Sequence, residues 1–262
     1  MKKCFDATKY LKVQKRKIKQ RIKMFDKLYL EFGGKLIDDQ HAARTLPGFL
    51  PDLKIKLLQE FKDDAEIILC INADAIEHAK IRADHMISYE TEILRLIEFL
   101  RARGLYVSSV VITMFKGQKK AEDFARKLQD YKINTYFHTF TKGYPTDVAT
   151  IVSDEGYGAN PYIEVTKPLV VVTGPGGGSG KLATDLVGNG NDCIRKETVY
   201  RFSRHASGET PPLRRTMLGN HQHRDFCPPR RNAGGKACAD VNNIRLFSFK
   251  KFRHGGKACL VP

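Results

Sequence analysis

From the N-terminus to residue 184, short apolar runs of strand length alternate with amphipathic stretches of helix length. That alternation leaves few folds open. Glu66–Ala73 (EIILCINA), Leu105–Phe115 (LYVSSVVITMF), Ile133–Phe140 and Pro168–Thr173 (PLVVVT) read as strands, and Lys27–Phe32 reads as a shorter one that stops at Gly33-Gly34. Between them lie Asp6–Met24, with Leu11, Ile18, Ile22 and Phe25 on one side, and Pro51–Phe61, with proline in its first turn. Asp74–His85 reads as helix, and so does Tyr89–Arg103, which aligns Ile93, Leu94, Ile97 and Leu100 and ends at Gly104. Lys119–Tyr131 places Ala121, Phe124, Ala125, Leu128 and Tyr131 on one face. Strands joined through helices need crossover connections, so the expected fold class is α/β, a mainly parallel sheet with flanking helices.

The pattern ends at Thr184. Residues 1–184 hold 30 basic and 23 acidic side chains, a net of +7, whereas residues 185–262 hold 15 and 6, a net of +9. Lysine dominates the basic residues of the first part and arginine those of the second, and the second part shows neither helical nor strand periodicity. The chain is therefore expected to divide into an α/β region at 1–184 and a poorly structured tail at 185–262. The overall charge of +16 suggests nucleic acid only until it is located. Within the α/β region it concentrates on one helix, at Lys12, Lys15, Arg16, Lys17, Lys19, Arg21 and Lys23. Such a run suits a solvated face, because the same helix carries an apolar stripe to bury, so neither a specific nucleic acid nor a membrane is expected as partner. No apolar run approaches the ~20 residues that span a bilayer, and Met1–Asp6 does not open an apolar signal region. The expected location is the cytoplasm, with cysteines reduced.

The segment richest in chemistry is PLVVVTGPGGGSGKLAT, residues 168–184. A buried strand feeds Gly174-Pro175-Gly176-Gly177-Gly178-Ser179-Gly180-Lys181, and a helix follows. Glycines let backbone N–H groups approach an anion closely, and a lysine at the end of such a loop adds a full charge. The candidate phosphate-binding residues are Gly174, Gly176, Gly177, Gly178, Ser179, Gly180, Lys181 and Thr184. The loop departs from a nucleotide-binding P-loop, which would need glycine at Pro175 and a hydroxyl at Leu182, and it departs from the dinucleotide pattern at Ser179. A ligand-free strand-to-helix turn is the alternative.

The strings YLEFGGKLIDDQHAARTLPGF (29–49), INADAIEHAKIRAD (71–84), VVIT (110–113) and the whole of 142–184 together resemble uncharacterised protein family 0371, a bacterial family. The resemblance runs from about residue 4 to 184. It implies an α/β fold and longer relatives whose second half continues that fold, with intact forms as candidates for homo-oligomers. It implies no reaction. Beyond Thr184, where relatives carry on a helix, this chain reads Asp185-Leu-Val-Gly-Asn-Gly-Asn-Asp192. A loss of resemblance, periodicity and lysine bias at one position is what a shifted reading frame produces, so a truncated, non-functional form is expected.

Two further clusters carry catalytic side-chain types. His41 next to Asp38 and Asp39, with Arg44 one turn on, could pair a general base with an anion-binding guanidinium, or simply begin a helix. Asp154 and Glu155 lie in a glycine-rich loop preceding the last strand, and in a parallel sheet such loops converge at the carboxyl ends of the strands. His221, His223, Cys227 and Cys238 match no established metal spacing, so no metal site is expected, and the cofactor is either absent or a nucleotide or phosphate. The expected function is binding of a phosphorylated small molecule or nucleotide at Gly174–Lys181, with no reaction selected. The alternative is a non-enzymatic binding or assembly protein. Translating the gene in its other two frames beyond codon 184 should restore the family's sequence in one of them; if neither frame does so, the shifted-frame origin is wrong.

Overall fold

The protein is described by a computed structural model covering residues 5–23, 27–32, 35–37, 44, 47–144, 146–147, 150, 153 and 155–187, together with the backbone of three strands at 244–248, 251–254 and 257–260. Most of the tail expected at 185–262 lies outside the described residues, as do the candidates His221, His223, Cys227 and Cys238.

Five parallel strands form the sheet: β1 (Leu28–Phe32), β2 (Ala65–Asn72), β5 (Val107–Phe115), β6 (Asn134–Thr139) and β7 (Leu169–Thr173). Their spatial order is β6-β5-β2-β7-β1, and the backbone of β8 (Ile244–Ser248) adds antiparallel along the outer edge of β1. Two further short strands, β9 (Lys251–His254) and β10 (Lys257–Leu260), pair with each other. β1, β2 and β7 are buried along almost their whole length, which explains their unbroken apolar composition.

Alternate residues of each strand feed two cores. Leu30, Ile67, Leu69, Ile71, Val110, Ile112 and Val171 face the helices, while Tyr29, Ile68, Cys70, Val111, Val170 and Val172 face away from them with Ile163 and Val165. The helices on the first face are α2 (Leu53–Gln59), α4 (Tyr89–Arg101) and α5 (Lys119–Asp130). Each buries the predicted stripe, for example Ile93, Ile97 and Leu100 on α4 and Ala121, Phe124 and Leu128 on α5. The chain steps outward through β1, β2, β5 and β6 with its helices on this one face. It then returns across the other face to insert β7 between β1 and β2, as right-handed crossovers in opposite directions require. Glu66, buried in β2, fixes the return: its Oε1 accepts the backbone N–H groups of Thr166 and Lys167, both at 2.6 Å.

α1 (Ala7–Ile22) starts at Asp6, whose carboxylate accepts from the Lys9 amide at 2.9 Å. It buries Tyr10, Gln14 and Ile18 and leaves Lys12, Arg16, Lys17, Lys19 and Lys23 exposed. No helix among the described residues is long and apolar enough to cross a membrane.

One element departs from expectation. The helix read at Asp74–His85 is only α3 (Ala73–Glu77), followed by a hairpin of β3 (Ile81–Arg82) and β4 (Ile87–Ser88). Ala79 lies in the left-handed region at φ 45°, and the Lys80 amide bonds back to the Ala75 carbonyl at 2.9 Å, so the chain leaves the helix there. Arg82 then turns into the interior, where its guanidinium meets Glu92 at 2.6 Å and Asp84 at 2.7 Å. Buried charge pairing across the hairpin outweighs the local helical period.

His138, at the end of β6, is buried with its Nε2 3.2 Å from the Pro161 carbonyl. Burial pushes its pKa down from 6.5 to about 4. The unfolded chain therefore binds more protons between these values, so stability is complete above pH 6.5 and is lost as pH falls towards 4. Urea unfolding should show a loss of about 3 kcal/mol across that window attributable to His138, and His138→Gln should remove that part of the slope; equal slopes would refute the assignment.

Candidate functional site

The glycine loop leaves the carboxyl end of β7, an interior strand between β2 and β1, and enters α6 (Lys181–Val187). Its outer glycines are there for packing. A Cβ on Gly174 would lie 2.4 Å from the Cys70 carbonyl oxygen, and one on Gly180 (φ 77°) would lie 2.6 Å from the Thr113 side chain. Thr113, buried on β5, closes that contact by donating its hydroxyl to the Ser179 carbonyl at 3.0 Å. Gly177 and Gly178 differ, because a Cβ on either would meet nothing within 4 Å. Among the described residues, the amides of Gly176, Gly177 and Gly178 donate to no protein acceptor.

Lys181 does not project from the loop. It is buried, and its ammonium donates to the Gly176 carbonyl at 2.9 Å and to Ser179 Oγ at 3.1 Å, while Ser179 Oγ bonds to the same Gly176 carbonyl at 3.2 Å. The lysine ties the loop into its curve and brings positive charge behind it. Thr184 is fully buried one turn into α6, donating to the Gly180 carbonyl at 3.2 Å and accepting from the Cys70 thiol at 3.4 Å. Burial pushes the Cys70 thiol up to about 12, so it stays protonated at neutral pH and serves as a packed donor.

Facing the loop across a cleft of about 420 Å³ is a second wall that the sequence did not reveal. It is built from Asn72, Asp74, Ala75, His78, Lys80 and Tyr89, and Pro175, Gly177, Gly178 and Ser179 form the near side. Asn72 ends β2 and caps α3: its Oδ1 accepts the Asp74 amide at 2.8 Å and its Nδ2 reaches the Gly178 carbonyl at 3.4 Å. Gln118, preceding α5, donates to Asp74 Oδ1 at 2.7 Å. The hairpin brings Lys80 beside Tyr89, with Nζ 5.5 Å from the ring centroid and the Tyr89 amide bonded to the Lys80 carbonyl at 3.0 Å. The string INADAIEHAK contained Asn72, Asp74, Ala75, His78 and Lys80, but the adjacency of β2 and β7 that makes them and Tyr89 a wall is long-range and has no local signature.

Of the other candidates, the two that are described, Arg44 and Glu155, do not line this cleft. His41 and Asp154 lie outside the described residues. Arg44 is exposed and does not line the cleft. Glu155 is exposed and pairs with Lys142 at 2.5 Å, which holds its carboxyl below the ordinary value without bringing it to the loop. No group of three or more His, Cys, Asp or Glu side chains among the described residues is arranged to hold a metal ion.

Fold and site together define a parallel α/β domain whose cleft opens at the carboxyl ends of its central strands, the position where open sheets of this class hold ligands. The chain belongs to the family described as Domain of unknown function DUF1846, N-terminal, which it matches over residues 3–206. It is 58% identical over 182 residues to a UPF0371 protein of Clostridium botulinum (strain ATCC 19397 / Type A), covering 70% of this chain and 36% of that protein. It is 56% identical over 186 residues to a UPF0371 protein of Clostridium botulinum (strain Eklund 17B / Type B), covering 71% of this chain and 37% of that one. The chain thus spans little more than a third of the length of these relatives.

The two kinds of glycine should separate in a stability measurement. Gly174→Ala forces a methyl against a backbone carbonyl and should cost about 3 kcal/mol, whereas Gly177→Ala should stay within about 0.5 kcal/mol of wild type, both measured by chemical denaturation. Equal costs would mean that the loop is not held as described.

Proposed function

We propose that the domain binds a phosphorylated small molecule or nucleotide at the glycine loop, with the anion on the amides of Gly176–Gly178 and Lys80 as the cation on the opposite wall. The observation that carries this reading is the pair of open glycines, Gly177 and Gly178, facing Lys80 across a cleft at the carboxyl edge of the sheet. Backbone amides with no protein acceptor form an anion-binding concavity without any requirement for a P-loop's consensus. Lys181 supports it from behind by shaping the loop, which replaces the direct contact expected from the sequence.

Because the chain spans only part of its relatives' length, the whole protein's reaction, oligomeric state and cytoplasmic setting belong to this proposal too. A chain whose residues beyond 184 come from a shifted frame would keep the cleft and lack whatever the second half contributes to turnover. The reading of the loop as a structural turn in a non-enzymatic protein has its own support, the internal bonds of Lys181 and Ser179.

Calorimetric titration of ATP and of inorganic phosphate into the full chain separates the two. Binding that Lys80→Ala weakens about 10-fold, the scale of one charge-assisted contact, is expected. Absence of heat with both ligands would leave the structural turn as the function of the loop.

A further inference from the structure

We infer that the cleft selects nucleoside phosphates over other phosphorylated molecules, with the base lying on the Tyr89 ring; this rests on the phosphate reading above. Tyr89 is half-buried at the start of α4, with one side packed against the helix-side core. Its ring borders the loop directly, since a Cβ on Gly176 would come within 3.4 Å of Cε1 and of the hydroxyl oxygen. Above the ring stands the ammonium of Lys80, an exposed side chain on a four-carbon stem, 5.5 Å from the centroid. That face is thus covered by a group that can swing aside. An incoming phosphate draws the ammonium towards Gly177 and Gly178, and the ring it leaves is a stacking surface. An aromatic face and a cation, adjacent to each other and to open backbone amides, complement the two ends of a nucleoside phosphate. The Asp74 carboxylate on the same wall offers an acceptor for the ribose hydroxyls between them.

The wall is fixed from behind. Arg82 lies two residues beyond Lys80, and Glu92 lies one helical turn beyond Tyr89; they bond at 2.6 Å with both side chains buried. Arg82 also grips Asp84 through Nε and Nη2 at 3.1 and 2.7 Å, Arg95 holds Glu92 at 2.8 Å, and Lys35 holds Asp84 at 2.7 Å. These bonds hold the Lys80 and Tyr89 backbones together before any ligand arrives, so ordering this wall adds little to the cost of binding.

Adenosine 5′-monophosphate and ribose 5-phosphate carry the same phosphate and sugar and differ by the base, so titrating each into the full chain isolates the stacking. The nucleotide should bind at least about 10-fold tighter, the scale of one base–aromatic stack. Tyr89→Ala should remove that ratio, and Tyr89→Phe should preserve it. Equal wild-type affinities for the two ligands overturn the inference whatever the variants do, as does a ratio that survives Tyr89→Ala, and the phosphate reading then still stands. If neither ligand binds and inorganic phosphate and ATP also fail, the phosphate reading itself falls.

Discussion

The constraint on which the molecule depends is the entry of β7 between β1 and β2. These two strands are joined early in the chain yet do not touch, and the gap between them is filled only when the chain returns after β6. A strand so inserted is buried on both faces and hydrogen-bonded on both edges, so its composition reduces to Leu-Val-Val-Val-Thr. Its exit is equally constrained. At Gly174 the backbone passes so close to the Cys70 carbonyl that no side chain fits, and at Gly180 it passes equally close to Thr113. The glycines at the two ends of the loop are consequences of the sheet; in its middle Gly177 is left free, while Gly178 sits at φ 73°.

Polar groups beneath the loop follow from the same geometry. Once Gly174 and Gly180 are pressed onto β2 and β5, the loop's carbonyls turn inward and need donors. Lys181 serves Gly176, Thr113 serves Ser179, and Thr184 serves Gly180. A buried carbonyl left without a donor would cost about 1–3 kcal/mol, which accounts for Lys181 belonging to the loop without lining the cleft, whereas the Gly180 carbonyl also accepts the Thr184 amide at 3.1 Å. This also explains how the loop can depart from the P-loop pattern at Pro175 and Leu182 and still hold its shape. Its conformation is set by contacts with the neighbouring strands, which need no consensus within the loop.

What was legible in the sequence followed from local periodicity. The five strands and the apolar stripes of α4 and α5 are each set by residues within one or two turns of one another. The hairpin at 81–88 was not legible, because Asp74–His85 has a helical composition and what breaks it is Arg82 reaching Glu92 and Asp84 in the interior. Half of the cleft was missed for the same reason. The glycine loop announces itself within eight residues, whereas Lys80 and Tyr89 become its partners only through a strand order that no local pattern encodes. Glu155 shows the opposite failure: a carboxylate before the last strand suited a site, but it spends its charge on Lys142 at the surface.

The hairpin's buried charges show which part of the wall is held for stability and which is left open. Removing one partner of the Arg82–Glu92 pair would strand a charge in the interior, at a cost of about 3–5 kcal/mol, whereas a well-packed apolar pair in its place could fold as well. Arg95 and Lys35 add to the network from its solvent edge, bringing three cations against the two carboxylates of Asp84 and Glu92. A two-residue pair of strands with an exposed Met86 at φ 53° has little else to hold it. The ion network therefore substitutes for the apolar contacts that so short a hairpin cannot make. Its five residues do not line the cleft, where Lys80 stands over the Tyr89 ring.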